Sequence, residues 1–141
     1  MKKKRTAGII VATGYDTLGK MVSPLSPLGT STIVKRILVT FQLADISPII
    51  VITGFDGLSV ERHLSGYGAV FFRMQDFMAI DLSTDVFPAI KYAADKSEQF
   101  VFAPVEYPLA RTDTIQKLLC AKGAVRIPEF WGKRGCPLVM E

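Results

Sequence analysis

The sequence predicts an α/β fold in which helices lie on both faces of a mostly parallel sheet. Three observations lead to this prediction. Short apolar runs rich in β-branched residues alternate with longer stretches of helical period, glycine closes the first two of these runs, and the spacing between runs is that of β-α-β units. Helices that connect parallel strands pack back onto the sheet, so both of its faces are covered.

The apolar runs give the strands. The first predicted strand covers residues 6–12 (TAGIIVA), and its apolar character on every residue indicates burial on both faces. Three more strands are expected at residues 48–53, 69–74 and 100–105. The apolar segments 124–128 and 137–140 are the last strand candidates, and the turn-rich residues 131–135 lie between them.

The stretches of helical period predict helices at residues 32–44, 56–64, 81–94 and 114–121. Ser31 or Thr30 is the expected cap of the first helix. Thr112 and Asp113 are the expected caps of the last. Pro88 lies late in the third pattern, which indicates either a kink or a later start.

Composition and charge limit the classes of function. The chain has 141 residues, 49% hydrophobic and 21% charged, which excludes intrinsic disorder and predicts one domain over residues 1–141. The net charge is 17 − 13 = +4, and residues 2–5 (KKKR) account for all of it. The remainder is neutral, so no nucleic-acid partner is expected.

Targeting and metal-binding signals are weak. The apolar stretch at 7–12 is shorter than the hydrophobic region of a signal peptide, and no apolar run approaches the roughly 20 residues of a membrane span. We therefore expect a cytoplasmic protein with no membrane partner, whose Cys120 and Cys136 are reduced. His63 is the single histidine, and we expect it to be exposed. With so few histidines and cysteines, a zinc site lacks ligands.

The loop after the first strand is the first candidate site. In a parallel sheet, ligands bind at the carboxyl ends of the strands, here the loops after Ala12, Thr53 and Val105. Residues 14–21 match the phosphate-binding spacing G-x-x-x-x-G-K, but Met21 stands where that motif needs a hydroxyl side chain. Pro24 and Pro27 also exclude the helix that should follow, so a P-loop NTPase is disfavoured.

A wider segment gives a better match. Residues 12–29 (ATGYDTLGKMVSPLSPLG) resemble, without gaps, the opening signature of the MobA-like nucleotidyltransferases, A-A-G-x-S-x-R-x-G-x-x-K followed by a Leu/Pro/Leu/Gly run. Residues 51–54 (VITG), 104–109 (PVEYPL) and 132–137 (GKRGCP) resemble three later landmarks of the family, in the same order. The resemblance therefore covers nearly the whole chain.

The resemblance implies a fold and an activity. The fold is a Rossmann-like, three-layer α/β/α arrangement of the nucleotide-diphospho-sugar transferase type, here short at its C-terminal end. The activity is transfer of a nucleoside monophosphate from an NTP, with CTP or GTP favoured, to a phosphorylated acceptor such as a molybdopterin-type cofactor. Mg²⁺ is the expected cofactor, and backbone N–H groups of the glycine loop cradle the phosphates.

The resemblance also implies a set of site residues. Glu106 stands at the metal-binding position and is the candidate metal ligand and catalytic residue, together with Lys20. The residues implied in nucleotide binding are Ala12, Thr13, Gly14, Tyr15, Lys20, Ser23 and Gly54.

Several positions depart from the family pattern. Leu18 stands at the arginine position, Ser23 at the lysine, Glu106 at the aspartate and Cys136 at a histidine. Glu106 is still a hard oxygen ligand, and Lys20 lies close in sequence to both missing cations. Two hypotheses therefore stay open: a nucleotidyltransferase whose activity is retained or weakened, or a catalytically silent nucleotide-binding, regulatory or dimerisation module. On either, the chain is expected to be a truncated form or the front part of a longer polypeptide, and a homo-oligomer is left open.

Overall fold

A computed structural model describes residues 4–15, 20–74, 87–130, 133–134 and 138–140. The main sheet has six strands, which are β1 (Thr6–Ala12), β4 (Ile49–Thr53), β5 (Val70–Arg73), β6 (Gln99–Pro104), β7 (Val125–Arg126) and β10 (Leu138–Met140). Two hairpins pair β2 (Pro27–Leu28) with β3 (Ser31–Thr32), and β8 (Glu129–Phe130) with β9 (Lys133–Arg134). The helices are α1 (Ile33–Leu43), α2 (Gly57–His63), α3 (Phe87–Ala93) and α4 (Thr112–Cys120).

The strand order in the main sheet is β5-β4-β1-β6-β10-β7. Strands β5, β4, β1 and β6 are parallel, while β10 runs antiparallel to both of its neighbours. The prediction of a mostly parallel sheet is confirmed. From β1 the chain proceeds to β4 and β5 on one side and then to β6 on the other, so the strand order reverses between β1 and β6. That reversal opens a crevice at the carboxyl ends of these two strands.

Strand β1 lies at the centre of the core, and all seven of its residues are buried. Ile10 and Ala12 face the layer that contains α1, α2 and α4. Ile9 and Val11 face the opposite layer, which contains α3. The helices therefore cover both faces, as the predicted three-layer arrangement requires.

Gly8 determines how closely α1 approaches the sheet. A Cβ atom at this position would lie 2.5 Å from Cδ2 of Phe41, a fully buried side chain of α1. Contacts that short are repulsive, so only glycine allows the Phe41 ring to approach β1 this closely.

The predicted helix caps are wrong at both positions. Thr32 caps α1, since its Oγ1 accepts a hydrogen bond from the N–H of Lys35 at 3.4 Å. Ser31 lies one residue too early, because β3 pairs with β2 and keeps the chain extended as far as Thr32. Helix α4 begins at Thr112, and its N-cap residue is Arg111, which makes no side-chain capping bond.

The third predicted helix is only partly within the described residues. Residues 75–86, and with them the predicted start at 81, lie outside the described residues. The described helix α3 covers Phe87–Ala93, which places Pro88 in its first turn. Proline is tolerated there because the first N–H groups of a helix have no intrahelical partner.

A buried arginine, Arg126, lies at the edge of the sheet where the parallel strands begin. Nη1 of Arg126 donates hydrogen bonds to the carbonyls of Leu118, Leu119 and Ala121 at the end of α4. Its Nη2 donates to Oε1 of Gln99 at 2.7 Å. The last carbonyls of α4 are thus satisfied by a guanidinium on β7, a long-range cap that no local sequence pattern indicates.

Candidate functional site

The glycine loop follows β1 directly. Ala12 and Thr13 are 0% and 1% exposed, so they offer a ligand only backbone atoms. Gly14 has a φ of +94°, a conformation that L side chains rarely adopt. Its carbonyl accepts a hydrogen bond from the N–H of Val22 at 2.8 Å, and Tyr15 forms a β-bridge with Met21. The chain therefore folds back on itself immediately after β1.

The loop after β4 is bonded to the glycine loop. The N–H of Phe55 donates to the carbonyl of Thr13 at 2.9 Å. A Cβ at Gly14 would lie 3.1 Å from Cβ of Phe55, so the two loops are in close contact. The rings of Tyr15 and Phe55 meet edge to face at 6.2 Å between centroids. Gly54, a predicted binding residue, is buried between these groups and β4.

The loop after β6 borders the glycine loop on its other side. The N–H of Val105 donates to the carbonyl of Val11 at 3.1 Å, which extends the β1–β6 pairing past Pro104. Glu106 is the next residue in the chain, where the strand has ended and the turn has begun. Glu106 is half-buried in the turn that follows β6. The predicted catalytic residue Glu106 thus lies at the carboxyl edge of the sheet.

A pocket lies between the glycine loop and the start of α2. The pocket is small, about 40 Å³, and open to solvent, and its walls include Gly14, Ser23, Leu25, Phe55 and Asp56. Gly14 and Ser23 were predicted as nucleotide-binding residues, and the pocket brings them together. Lys20 and Glu106 are not among its lining residues.

The sequence analysis did not single out Phe55 and Asp56, which line this pocket. Asp56 has a φ of +54° and precedes α2 in the left-handed conformation, which is uncommon for a residue with a side chain. Its Oδ1 accepts a hydrogen bond from Oγ of Ser59 at 2.8 Å. The one available signal was the position of Asp56 just after the carboxyl end of β4, where ligand-binding loops are expected.

Two predicted nucleotide-binding residues, Lys20 and Ser23, lie in the segment after Tyr15 and have different environments. Oγ of Ser23 accepts a hydrogen bond from the N–H of Leu25 at 3.3 Å, so this hydroxyl stabilises its own turn. Lys20 is exposed and immediately precedes Met21, which pairs with Tyr15. Leu18, at the family's arginine position, lies outside the described residues.

Another cation lies two strands away from β1. Arg73, the last residue of β5, is half-exposed, and its Nε donates to Oε2 of Glu61 on α2 at 3.0 Å. Gly57 makes room for this contact, since a Cβ there would lie 3.3 Å from the Arg73 Nε. The ion pair partly neutralises a charge that would otherwise face the carboxyl edge of the sheet.

His63 is not simply exposed, as the sequence predicted. It is half-buried at the end of α2, and its Nε2 lies 2.8 Å from Oγ1 of Thr32. This contact joins the end of α2 to the N-cap of α1. The predicted exposure was wrong because it considered only the local helix pattern.

Neither a cluster of metal ligands nor a membrane-spanning helix occurs within the described residues. These residues contain no group of three or more His, Cys, Asp or Glu side chains placed to bind a metal ion. None of the helices within them is both long enough and apolar enough to cross a membrane.

The family profile for the MobA-like NTP transferase domain matches residues 18–141. A search of curated protein sequences gave no significant match.

Solved structures of similar fold include three of particular interest. A nucleotidyl transferase from Methanothermobacter thermautotroptrophicus has a TM-score of 0.77 at 21% identity, over 96% of this chain and 70% of its own. A Mycobacterium tuberculosis protein in complex with manganese has a TM-score of 0.77 at 14% identity, over 96% and 70%. The 4-diphosphocytidyl-2C-methyl-D-erythritol synthase of Anaerococcus prevotii has a TM-score of 0.74 at 14% identity, over 99% and 72%. At these identities the likeness shows a shared fold.

Proposed function

The chain belongs to the MobA-like NTP transferase family, and from that premise we propose that it transfers a nucleoside monophosphate from an NTP to a phosphorylated acceptor. CTP and GTP are the favoured donors, and a molybdopterin-type cofactor is the favoured acceptor. The manganese complex of one fold relative and the diphosphocytidyl product in the name of another support a metal-dependent, nucleotide-transferring role.

One observation carries the proposal. The carbonyl of Val11 accepts a hydrogen bond from the N–H of Val105, which holds the glycine loop beside the turn that contains Glu106. These two loops leave the sheet where its strand order reverses, the usual location of a ligand in open α/β sheets. A glycine loop on one side and a carboxylate on the other match the requirements of a metal-assisted transfer from a nucleoside triphosphate.

The glycine loop contributes backbone rather than side-chain groups. Because Ala12 and Thr13 are buried, their part in nucleotide binding is to position N–H groups and to exclude water. Gly14 lets a ligand approach the backbone closely, since it has no Cβ. Lys20 supplies a positive charge near the phosphates.

The chain's own residues have limited tasks in this reaction. An oxygen of the acceptor phosphate forms a bond to the α-phosphorus while the bond from that phosphorus to the β-phosphate bridging oxygen breaks. Pyrophosphate leaves with that electron pair, and the ammonium group of Lys20 neutralises part of its charge. Glycine-loop N–H groups hold the phosphates in line, so positioning supplies much of the rate.

Glu106 fits a role as a metal ligand. Mg²⁺ is usually held by one or two carboxylates together with substrate phosphates and waters, and Glu106 supplies one carboxylate at the carboxyl end of β6. When bound there, Mg²⁺ would neutralise charge on the phosphates during transfer.

Pyrophosphate release tests the transfer. We expect pyrophosphate release when the protein is incubated with Mg²⁺, molybdopterin and either CTP or GTP. The rate of release should decrease about 10²–10³-fold in the Glu106→Gln variant. Glu98→Gln is the matched control, because Glu98 lies next to β6 at the opposite edge of the sheet and pairs with Arg5. Equal rates for the two variants would remove Glu106 from the mechanism.

The alternative is a catalytically silent nucleotide-binding, regulatory or dimerisation module. The hydroxyl of Ser23, at the family's lysine position, is engaged in its own turn, which favours this alternative. The two hypotheses are distinguished by comparing pyrophosphate release from the unmodified chain with release from the variant that restores both cations, Leu18→Arg with Ser23→Lys. The silent hypothesis requires that release be undetectable before restoration, whereas the transferase hypothesis requires measurable release from the unmodified chain.

A further inference from the structure

We propose that a groove on the outer face of α1 binds an acidic, amphipathic segment of a partner protein. The groove lies between the β2–β3 hairpin, helix α1 and the loop that precedes α4. None of its described lining residues lines the pocket beside Gly14. The inference therefore adds an interaction surface to the proposed function and does not depend on it.

The larger part of the groove is an apolar hollow. It has a volume of about 550 Å³ and is open to solvent. Its apolar walls are Leu28 on the hairpin, Val39 on α1 and Leu109 in the loop before α4. Leu109 is 68% exposed, so much of its apolar surface faces water. Apolar side chains of a partner that covered this surface would gain free energy from the water they release.

Two cations of α1 lie beside the apolar wall. Val39 comes three residues after Arg36 and four after Lys35, so both cations are its neighbours on the helix surface. The ammonium group of Lys35 lies 4.7 Å from the centroid of the Tyr67 ring. Arg36 is exposed and forms no ion pair with any described residue. Its guanidinium is thus available to a carboxylate of a partner.

A second hollow continues the groove along the start of α4. It has a volume of about 450 Å³, and the two hollows are joined at Arg36, which lines both. Its other described walls include Arg111, Thr112 and Gln116, which offer hydrogen-bond donors. Asp113 is the one acid among them, and it pairs with Arg111 at 3.3 Å. This part of the groove is therefore polar and cationic.

Charge and shape together identify the occupant. The described walls of the groove carry three cations and one acid, so they attract carboxylates and repel a basic segment. An apolar hollow followed by a cationic one requires a ligand with apolar and acidic groups spaced along its length. A peptide segment with large apolar side chains next to Asp or Glu meets this requirement. A second copy docked symmetrically would bring two positive grooves together, which is unfavourable.

Selection from a phage-displayed library of random peptides tests the proposal on the complete chain. We expect the selected peptides to be enriched in Asp and Glu next to large apolar residues, and depleted in Lys and Arg. The most enriched peptide is then labelled with a fluorophore and titrated with the protein by fluorescence anisotropy. Its affinity should fall as the NaCl concentration rises, because salt screens ion pairs between exposed groups.

Two pairs of substitutions locate the surface that binds the peptide. Arg36→Glu reverses the charge shared by the two hollows, and we expect it to weaken binding about tenfold or more. Lys91→Glu is its control, since Lys91 is an exposed cation on α3, on the other face of the sheet. Leu109→Ser removes apolar surface and should weaken binding about tenfold. Leu43→Ser is its control, because Leu43 is also 68% exposed but is not among the residues that line the groove.

Each outcome supports or overturns the proposal. Failure to select any peptide, or selection of peptides without an acidic bias, would overturn the acidic partner. Equal affinities for Arg36→Glu and Lys91→Glu, or for Leu109→Ser and Leu43→Ser, would overturn the groove as the binding surface. Sedimentation velocity of the protein alone tests another occupant, since self-association that Arg36→Glu abolishes would assign the groove to a second copy. None of these measurements uses a nucleotide, so the inference and the proposed function can fail separately.

Discussion

The N–H of Phe55 donates a hydrogen bond to the carbonyl of Thr13 at 2.9 Å, and this bond joins the loop after β4 to the loop after β1. Thr13 and Phe55 are 42 positions apart in sequence, yet their loops together form walls of the pocket beside Gly14. The site is therefore a product of sheet topology, because parallel pairing of β1 and β4 brings both carboxyl ends to one edge.

Gly14→Ala should weaken both stability and nucleotide binding. Its φ of +94° disfavours any L side chain, and the new Cβ would lie 3.1 Å from Phe55. We expect a loss of about 1–3 kcal/mol in the free energy of unfolding, measured by urea denaturation, together with weaker binding. Gly29→Ala is the control, since Gly29 also has a positive φ but a Cβ there would have no neighbour within 4 Å. A smaller loss at Gly14 than at Gly29 would contradict this account.

Gly8→Ala tests the packing of α1 on the sheet. The added methyl would lie 2.5 Å from the Phe41 ring, so we expect a loss of about 1–3 kcal/mol from overpacking. Adding Phe41→Leu should recover part of that loss, because the smaller side chain makes room for the methyl. Chemical denaturation of both single variants and the double variant measures the coupling. Strictly additive effects would mean that the two positions do not contact.

Arg126→Met should destabilise the fold strongly without altering the glycine loop. The change removes four hydrogen bonds and leaves Gln99 and the last carbonyls of α4 without the guanidinium. The expected loss is about 3 kcal/mol, measured as a lower midpoint of urea unfolding. Arg36→Met, at an exposed position of α1, should change stability by less than about 0.5 kcal/mol. Similar losses in the two variants would argue against a capping role for Arg126.

Local patterns predicted the strands well and the helix caps poorly. The buried strand Thr6–Ala12 could be predicted residue for residue, because an apolar run with β-branched residues is a local property. The cap at Thr32 could not, since it depends on the pairing of β3 with β2 and on a contact with His63. The antiparallel direction of β10 depends likewise on tertiary contacts.

The residues of the candidate site, too, could be predicted from the sequence only in part. The family motif located Gly14, Ser23 and Glu106 in the chain, and their positions at the carboxyl edge of the sheet follow from strand–helix alternation. Phe55 and Asp56 depend on a hydrogen bond between distant loops and on a left-handed backbone conformation. Neither feature has a signature that a single sequence displays.

The most direct test of the central claim is calorimetric titration of the wild-type protein with CTP, GTP, ATP and UTP in Mg²⁺. The claim is that a nucleotide binds between the glycine loop and Glu106. It predicts binding of at least one of the four, with a dependence on Mg²⁺ that Glu106→Gln abolishes and Glu98→Gln retains. No binding of any of the four at millimolar concentration would contradict it.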